Sequence, residues 1–185
     1  MNARTQAFYR LKLNSFFQLL SFLCISLLCA APVWSEDLFV KLDILEITNL
    51  HAPEQNIYAS GQPSKESYTG IAEAGIQVVV NLRPHSEQDW NEQAVVESSG
   101  MSYINLPIAG ADGITMENAR QLSDILAKLE GKQVLVHCSS GNRVGALRAF
   151  RSFELNNGNL EAAIEDGKKW GLTRLESVVR EKLNP

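Results

Sequence analysis

Short apolar runs rich in Val and Ile alternate along this chain with segments of helical periodicity. The runs at residues 76–82, 102–106 and 133–137 are bounded by Gly or Pro and predict short buried β-strands. Less regular apolar patterns predict two further strands near residues 38–47 and 56–59.

Between and after these strands, apolar residues recur every three or four positions, which is the spacing of one helix face. The clearest case is residues 115–129, where Thr115 is a candidate N-cap and Gly131 follows the last turn. The same periodicity predicts further helices over residues 64–74, 87–98, 142–155, 159–169 and 172–183. Strands that alternate with helices predict an α/β fold, with a mostly parallel central sheet flanked by helices.

The N-terminal segment differs in composition from the rest of the chain. Residues 1–35 hold three basic and no acidic residues, and an apolar run over 16–31 leads to the small residues Val33 and Ser35. This order predicts a secretory signal peptide, whose removal would leave residues 36–185 as one exported domain, periplasmic or secreted. The alternative is an uncleaved membrane anchor, although the run is shorter than the roughly 20 residues that span a bilayer.

Charge and cysteine content narrow the function classes. The chain has 17 Lys and Arg against 21 Asp and Glu, so its net charge of −4 would become −7 without the first 35 residues. That balance argues against nucleic acid as a partner. Cys24 and Cys29 lie in the predicted signal peptide, so Cys138 would be the single cysteine of the exported domain and could form no internal disulfide.

Polar segments follow three of the predicted strands, at Arg83, near Asp112 and at Cys138. In mostly parallel sheets, ligands bind at the edge where the carboxyl ends of the strands meet. We therefore expect these three side chains to face a common cleft.

The segment after the third of these strands has the composition of an anion-binding loop. Small residues let successive backbone N–H groups turn toward one centre, and the following helix adds its positive end. This setting favours the thiolate form of Cys138, which is a nucleophile. Arg143 supplies a planar set of donors that matches two oxygens of a phosphate or sulfate. The residues expected to bind the anion are Ser139, Ser140, Gly141, Asn142 and Arg143.

This strand-Cys-loop-Arg-helix pattern resembles the cysteine-dependent protein tyrosine and dual-specificity phosphatases. It is most similar to the phosphatase-like domain of beta-lactamase hydrolase-like proteins. Residues 58–63 and 79–84 resemble the same domain. The resemblance implies that Cys138 attacks phosphorus to form a phosphocysteine, that Arg143 and the loop amides hold the phosphate oxygens, and that Asp112 protonates the leaving group. It implies no metal or other cofactor, and a phosphorylated protein or small molecule as the substrate.

Two further residues have expected supporting roles. His137 precedes the candidate nucleophile and is placed to hydrogen-bond the loop backbone. Arg83 is expected either to contact the substrate or to pair with a structural carboxylate.

The loop departs from the phosphatase pattern in its length. Four residues separate Cys138 from Arg143, whereas the phosphatase signature has five. A loop of this shorter size is found in rhodanese-type sulfurtransferases, which load sulfur onto the cysteine. The sequence therefore leaves three functions open: a phosphatase, a sulfurtransferase, and a non-catalytic module that binds an anion or a phosphopeptide.

Overall fold

A computed structural model describes residues 34–184, and its β-strands form one five-stranded sheet. The strands are β1 (His51–Glu54), β2 (Ile57–Ser60), β3 (Val78–Asn81), β4 (Ser102–Asn105) and β5 (Val134–His137). Their order across the sheet is β1-β2-β5-β3-β4. Only β1 runs antiparallel to its neighbour, and the other four strands are parallel. The predicted α/β class with a mostly parallel sheet is confirmed.

Helices cover both faces of this sheet. They are α1 (Trp34–Asp43), α2 (Ser67–Ala74), α3 (Glu92–Ser98), α4 (Met116–Lys128), α5 (Asn142–Leu155), α6 (Leu160–Lys169) and α7 (Glu176–Leu183), with a 3₁₀ turn at His85–Glu87. Apolar residues of α1 to α3 pack on one face, and those of α4 to α7 pack on the other.

The two central strands are buried on both sides, which explains their unbroken apolar runs. In β3, Val78 and Val80 belong to the core on the α4 to α7 face, whereas Val79 belongs to the core on the opposite face. In β5, Val134 and Leu135 are divided between the two cores in the same way.

One strand prediction is wrong. The segment predicted as a strand near residues 38–47 forms the end of α1 and the turns that follow it. Leu38 and Leu42 are buried one helical turn apart, while Val40 between them is largely exposed. The β-branched and aromatic residues of this segment suggested a strand, but the burial of residues four positions apart follows the helical period.

The parallel register brings the ends of the strands to one edge. His137 at the end of β5 lies beside Ser60 of β2 and Asn81 of β3, and Asn81 lies beside Asn105 of β4. The chain segments that leave these strands therefore meet at this edge of the sheet.

The predicted signal peptide falls almost entirely outside the described residues, so its cleavage stays a prediction. Within residues 34–184, no helix combines the length and the apolar character needed to cross a bilayer.

Candidate active site

The segment between β5 and α5 forms the predicted loop at the carboxyl edge of the sheet. The loop begins at Cys138, directly after β5, and ends at Gly141, the N-cap of α5. Gly141 has a φ of 81°, and a β-carbon at this position would collide with the side-chain amide of Asn49. Glycine is therefore required at this turn, because the backbone is left-handed and the space is filled.

Two chain segments brace the loop from the β2 side. Asn49 donates from its side-chain amide to the carbonyl oxygen of Ser140 at 3.0 Å and to that of Gly171 at 3.1 Å. The backbone N–H of Gln62 donates to the carbonyl oxygen of Ser139 at 3.3 Å. These bonds satisfy loop carbonyls, which fixes the orientation of the loop peptides.

Asn142 ties the loop to the segment before α7. Its Oδ1 accepts hydrogen bonds from the backbone N–H groups of Thr173 at 2.9 Å and Leu175 at 3.1 Å. Its Nδ2 donates to Oγ1 of Thr173 at 2.8 Å. Residues on either side of Arg174 are thus bonded to the side chain of Asn142, the first residue of α5.

Arg143 is 6% exposed and uses four of its five N–H donors within the protein. Nη1 and Nη2 donate to the two carboxylate oxygens of Glu87, at 3.0 and 2.6 Å. Nη1 also donates to the carbonyl oxygen of Ile108 at 2.7 Å, and Nη2 to Oγ of Ser139 at 3.1 Å. None of these four hydrogen bonds uses Nε–H.

Cys138 is 1% exposed and is the free cysteine of the described chain. Burial alone would lower the pKa of Arg143, but its interactions with Glu87 and with Cys138 raise it above its ordinary value. Cys138 and Arg143 thus lie at the two ends of the loop between β5 and α5, and both side chains are buried.

A buried carboxylate lies behind the loop. Oε1 of Glu92, which is 1% exposed, lies 2.9 Å from Nε2 of His137, at ion-pair distance but out of line for a hydrogen bond. Glu92 also accepts hydrogen bonds from Gln62 at 2.9 Å, from Tyr68 and from Asn81. Burial by itself would raise the pKa of Glu92, but these partners lower it below its ordinary range.

His137 reaches the loop from this network. The side chain is fully buried, and Nδ1 lies 3.3 Å from the carbonyl oxygen of Cys138. This contact matches the supporting position expected for His137, between the buried carboxylate of Glu92 and the start of the loop.

Arg83 contacts the 3₁₀ turn and not the cleft. Nη1 donates to Oε1 of Gln62 at 2.6 Å, and Nη2 donates to the carbonyl oxygen of Glu87. Nε lies 3.8 Å from a carboxylate oxygen of Glu87. Of the two roles considered for Arg83, the contacts correspond to pairing with a structural carboxylate.

An open cleft of about 330 Å³ lies over the loop. Its lining residues are Glu87, Gly110, Ala111, Ser139, Ser140, Asn142, Arg143, Arg174 and Leu175. Asp112, the candidate general acid, is exposed and is not among them, although its neighbours Gly110 and Ala111 are. The cleft therefore brings together most of the predicted anion-binding residues, but Cys138 and Gly141 are not among its lining residues. The expectation that Arg83, Asp112 and Cys138 face a common cleft is wrong, because none of these three residues lines it.

Sequence reasoning did not find Glu87, Glu92, Asn49 or Arg174. Glu87 carried one readable signal, its spacing of four residues from Arg83, at the start of the helix predicted over residues 87–98. The others resemble ordinary surface residues in the sequence, because only the tertiary fold brings them against the active loop.

Residues 41–169 match the sequence model of a family described as a DSP-PTPase phosphatase fused to NAD⁺ kinase. Because the match covers more than half of the chain, the protein belongs to this phosphatase family. The resemblance drawn from the active loop is confirmed.

Curated relatives point the same way. Beta-lactamase hydrolase-like proteins from two strains of Xylella fastidiosa are 33% identical to this chain over 112 residues, which is 58% of this chain and 25% of theirs. The chain thus spans about a quarter of the length of these relatives.

Solved structures share the fold. A DUF442 protein from Shewanella putrefaciens, described as a candidate phosphatase, is 24% identical, with a TM-score of 0.58 over 80% of this chain and 99% of its own. A candidate phosphatase from Neisseria meningitidis is 23% identical, with a TM-score of 0.60 over 74% of this chain and 97% of its own. The family and the fold together support phosphatase-type activity.

Proposed function

We propose that this protein hydrolyses a phosphate monoester through a covalent phosphocysteine intermediate. The observation that carries the proposal is the placement of buried Cys138 and buried Arg143 at the two ends of a short loop between β5 and the N-terminus of α5. Membership of a DSP-PTPase phosphatase family supports the same chemistry.

The first step transfers the phosphoryl group to the protein. The Cys138 thiolate attacks phosphorus, a P–S bond forms and the P–O ester bond breaks. The leaving alkoxide takes a proton from a general acid, for which we propose Asp112. The second step hydrolyses the intermediate: water attacks phosphorus and gives a proton to the Asp112 carboxylate, the P–S bond breaks, and inorganic phosphate and the Cys138 thiolate are released.

In this proposal the phosphate binds one side of the Arg143 guanidinium. Nε–H is not used by the hydrogen bonds to Glu87, Ile108 and Ser139, and the Nη2 hydrogen bonded to Ser139 becomes available if that hydroxyl rotates. These two donors can hold two phosphate oxygens side by side. Glu87 keeps the opposite side of the guanidinium and so positions it. Loop amides at the start of α5 complete the anion site, because a helix N-terminus favours negative charge.

Because the loop is short, the experiment must distinguish phosphate hydrolysis from sulfur transfer and from simple anion binding. The experiment is a paired turnover assay on the full chain under reducing conditions. One arm contains an aryl phosphate, the other thiosulfate with cyanide, and both are repeated with Cys138→Ser. We expect phosphate release that depends on Cys138 and no thiocyanate.

The control for the Cys138→Ser variant is binding of tungstate, a phosphate-shaped oxyanion, measured by calorimetry. A folded variant retains this binding after turnover is lost. Thiocyanate formation without phosphate release would replace the phosphatase with a sulfurtransferase. Tungstate binding with no turnover in either arm would indicate a non-catalytic anion-binding module.

A further inference from the structure

A second basic residue stands at the rim of the cleft. Arg174 lines the same cleft as Arg143, but it is exposed and makes no side-chain hydrogen bond or ion pair within the described part of the chain. Arg143 is instead neutralised by the carboxylate of Glu87. Arg174 is therefore the uncompensated positive charge of the cleft.

The backbone holds Arg174 in place beside the loop. The N–H groups of Thr173 and Leu175, one on each side of it, donate to Oδ1 of Asn142, the first residue of α5 after the loop. A guanidinium on a fixed backbone loses less freedom when it binds a ligand than one on a mobile loop. Arg174 is thus positioned to contact a group that extends from the anion site.

The other lining residues limit the substrate. The described residues that line the cleft include no aromatic side chain, and Leu175 and Ala111 are its apolar members. A volume of about 330 Å³ lies at the small end of ligand sites. An aromatic phosphate would find no stacking partner here, whereas a short polar phosphate would fit.

We propose that the substrate is a small, non-aromatic phosphate monoester with a second anionic group, a phosphate or a carboxylate, which Arg174 binds. The hydrolysis of this substrate rests on the proposed function, whereas the two-anion binding does not. The ester phosphate occupies the loop and Arg143, and the second anion lies at the rim.

The binding test compares inorganic phosphate with methylenediphosphonate, which carries two anionic groups and resists hydrolysis. Calorimetry measures both affinities for the full chain, for Arg174→Gln and for the matched control Lys169→Gln. Lys169 is exposed at the end of α6 and lies outside the cleft lining, so this control removes the same charge. We expect Arg174→Gln to weaken diphosphonate binding about tenfold and phosphate binding far less, with no change in Lys169→Gln.

The turnover test uses a matched pair of substrates. 3-Phosphoglycerate and glycerol 3-phosphate release similar alcohols, but only the first has a carboxylate at its far end. We expect kcat/KM to favour 3-phosphoglycerate about tenfold in the wild type, and Arg174→Gln to abolish the preference. Arg174→Lys keeps the charge and should retain part of the preference for 3-phosphoglycerate. This variant separates lost recognition from lost folding.

Three results would overturn the inference. One is an equal loss of phosphate and diphosphonate affinity in Arg174→Gln. Another is a wild type that does not discriminate within either pair of probes. The third is faster turnover of a phosphotyrosyl peptide or of phosphatidic acid vesicles, independent of Arg174. If diphosphonate binding depends on Arg174 but no variant hydrolyses any ester, the two-anion site stands and the phosphatase proposal fails.

Discussion

The hydrogen bonds of Arg143 demand an arginine at this position. Its outer nitrogens meet two oxygens of Glu87, a backbone carbonyl and a serine hydroxyl, and Nε–H is used by none of these bonds. A lysine ammonium has three donors on one nitrogen and cannot serve these acceptors and a phosphate together.

We therefore expect Arg143→Lys to lower Cys138-dependent phosphate release on the order of hundredfold, although the charge is retained. Steady-state kinetics with an aryl phosphate measures the effect. The matched control is Arg120→Lys, because Arg120 pairs with Glu154 on the surface, away from the cleft. Activity of Arg143→Lys close to that of Arg120→Lys would show that charge alone is sufficient at this position.

The residues that form the active loop could be read from the sequence because they are contiguous. Cys138, the small residues after it and Arg143 lie between a recognisable strand and a recognisable helix. Glu87 and Glu92 could not be read in this way. A carboxylate becomes buried and paired only when distant segments fold around it, and charged residues are ordinarily exposed.

The loop after β4 determines how far Asp112 lies from the cleft, and so whether it can act as the general acid. The loop contributes Gly110 and Ala111 to the cleft lining, and Arg143 donates to the carbonyl oxygen of Ile108 at its start. Asp112 itself is exposed. To protonate a leaving group, its carboxyl must turn inward when substrate binds.

If Asp112 is the general acid, Asp112→Asn slows esters with poor leaving groups more than esters with good ones. We expect about a hundredfold loss of kcat for an alkyl phosphate and a much smaller loss for 4-nitrophenyl phosphate. Asp124→Asn, which changes an exposed aspartate in α4, is the control. Equal losses for both esters would remove Asp112 from this role.

Periodicity predicted most helices and strands well. It failed in segments where the apolar pattern does not separate the helical period from the strand period. The range predicted for α5 is the observed Asn142–Leu155, and the strands β3, β4 and β5 lie within their predicted runs. The segment of α1 was mistaken for a strand, and the antiparallel strand β1 was missed because its four residues include a proline and two polar side chains.

The packing of α5 on α6 was not predictable from periodicity. A β-carbon on Gly145 would lie 2.7 Å from the carbonyl oxygen of Gly167, and one on Gly167 would lie 2.7 Å from that of Gly145. The two helices therefore approach at backbone distance. This approach brings the segment after α6 within reach of Asn142, and so places Arg174 at the cleft.

For the whole molecule, the buried carboxylate of Glu92 links stability to pH. Its pKa in the folded protein lies below the ordinary value of 4.5. A lowered pKa stabilises the fold above the unfolded value, and the contribution is lost as the pH falls through the folded value.

We expect Glu92→Gln to lower the free energy of unfolding by about 3 kcal/mol at neutral pH, because the ionised partner of His137 is lost. As the pH falls from 4.5 toward the lower pKa of the folded protein, the difference from wild type should shrink, because the unfolded chain then takes up a proton while the folded carboxylate is still ionised. Urea unfolding of wild type and variant, at neutral pH and at an acidic pH below 4.5, measures this difference in the free energy of unfolding. The control is Glu97→Gln, an exposed carboxylate of the same helix. A difference that stays constant into acid would mean that Glu92 acts through its shape and not its charge.

The near-complete burial of Cys138 has a consequence for the lifetime of the protein. Oxidation of a thiolate depends on exposure as well as on charge. The described chain offers no second cysteine that could capture a sulfenic acid as a disulfide and so allow its repair. Burial beneath the loop is then what protects the Cys138 sulfur from peroxide. Each time the site opens during catalysis, this sulfur becomes exposed to the oxidant. An idle molecule should therefore outlast a working one in an oxidising medium.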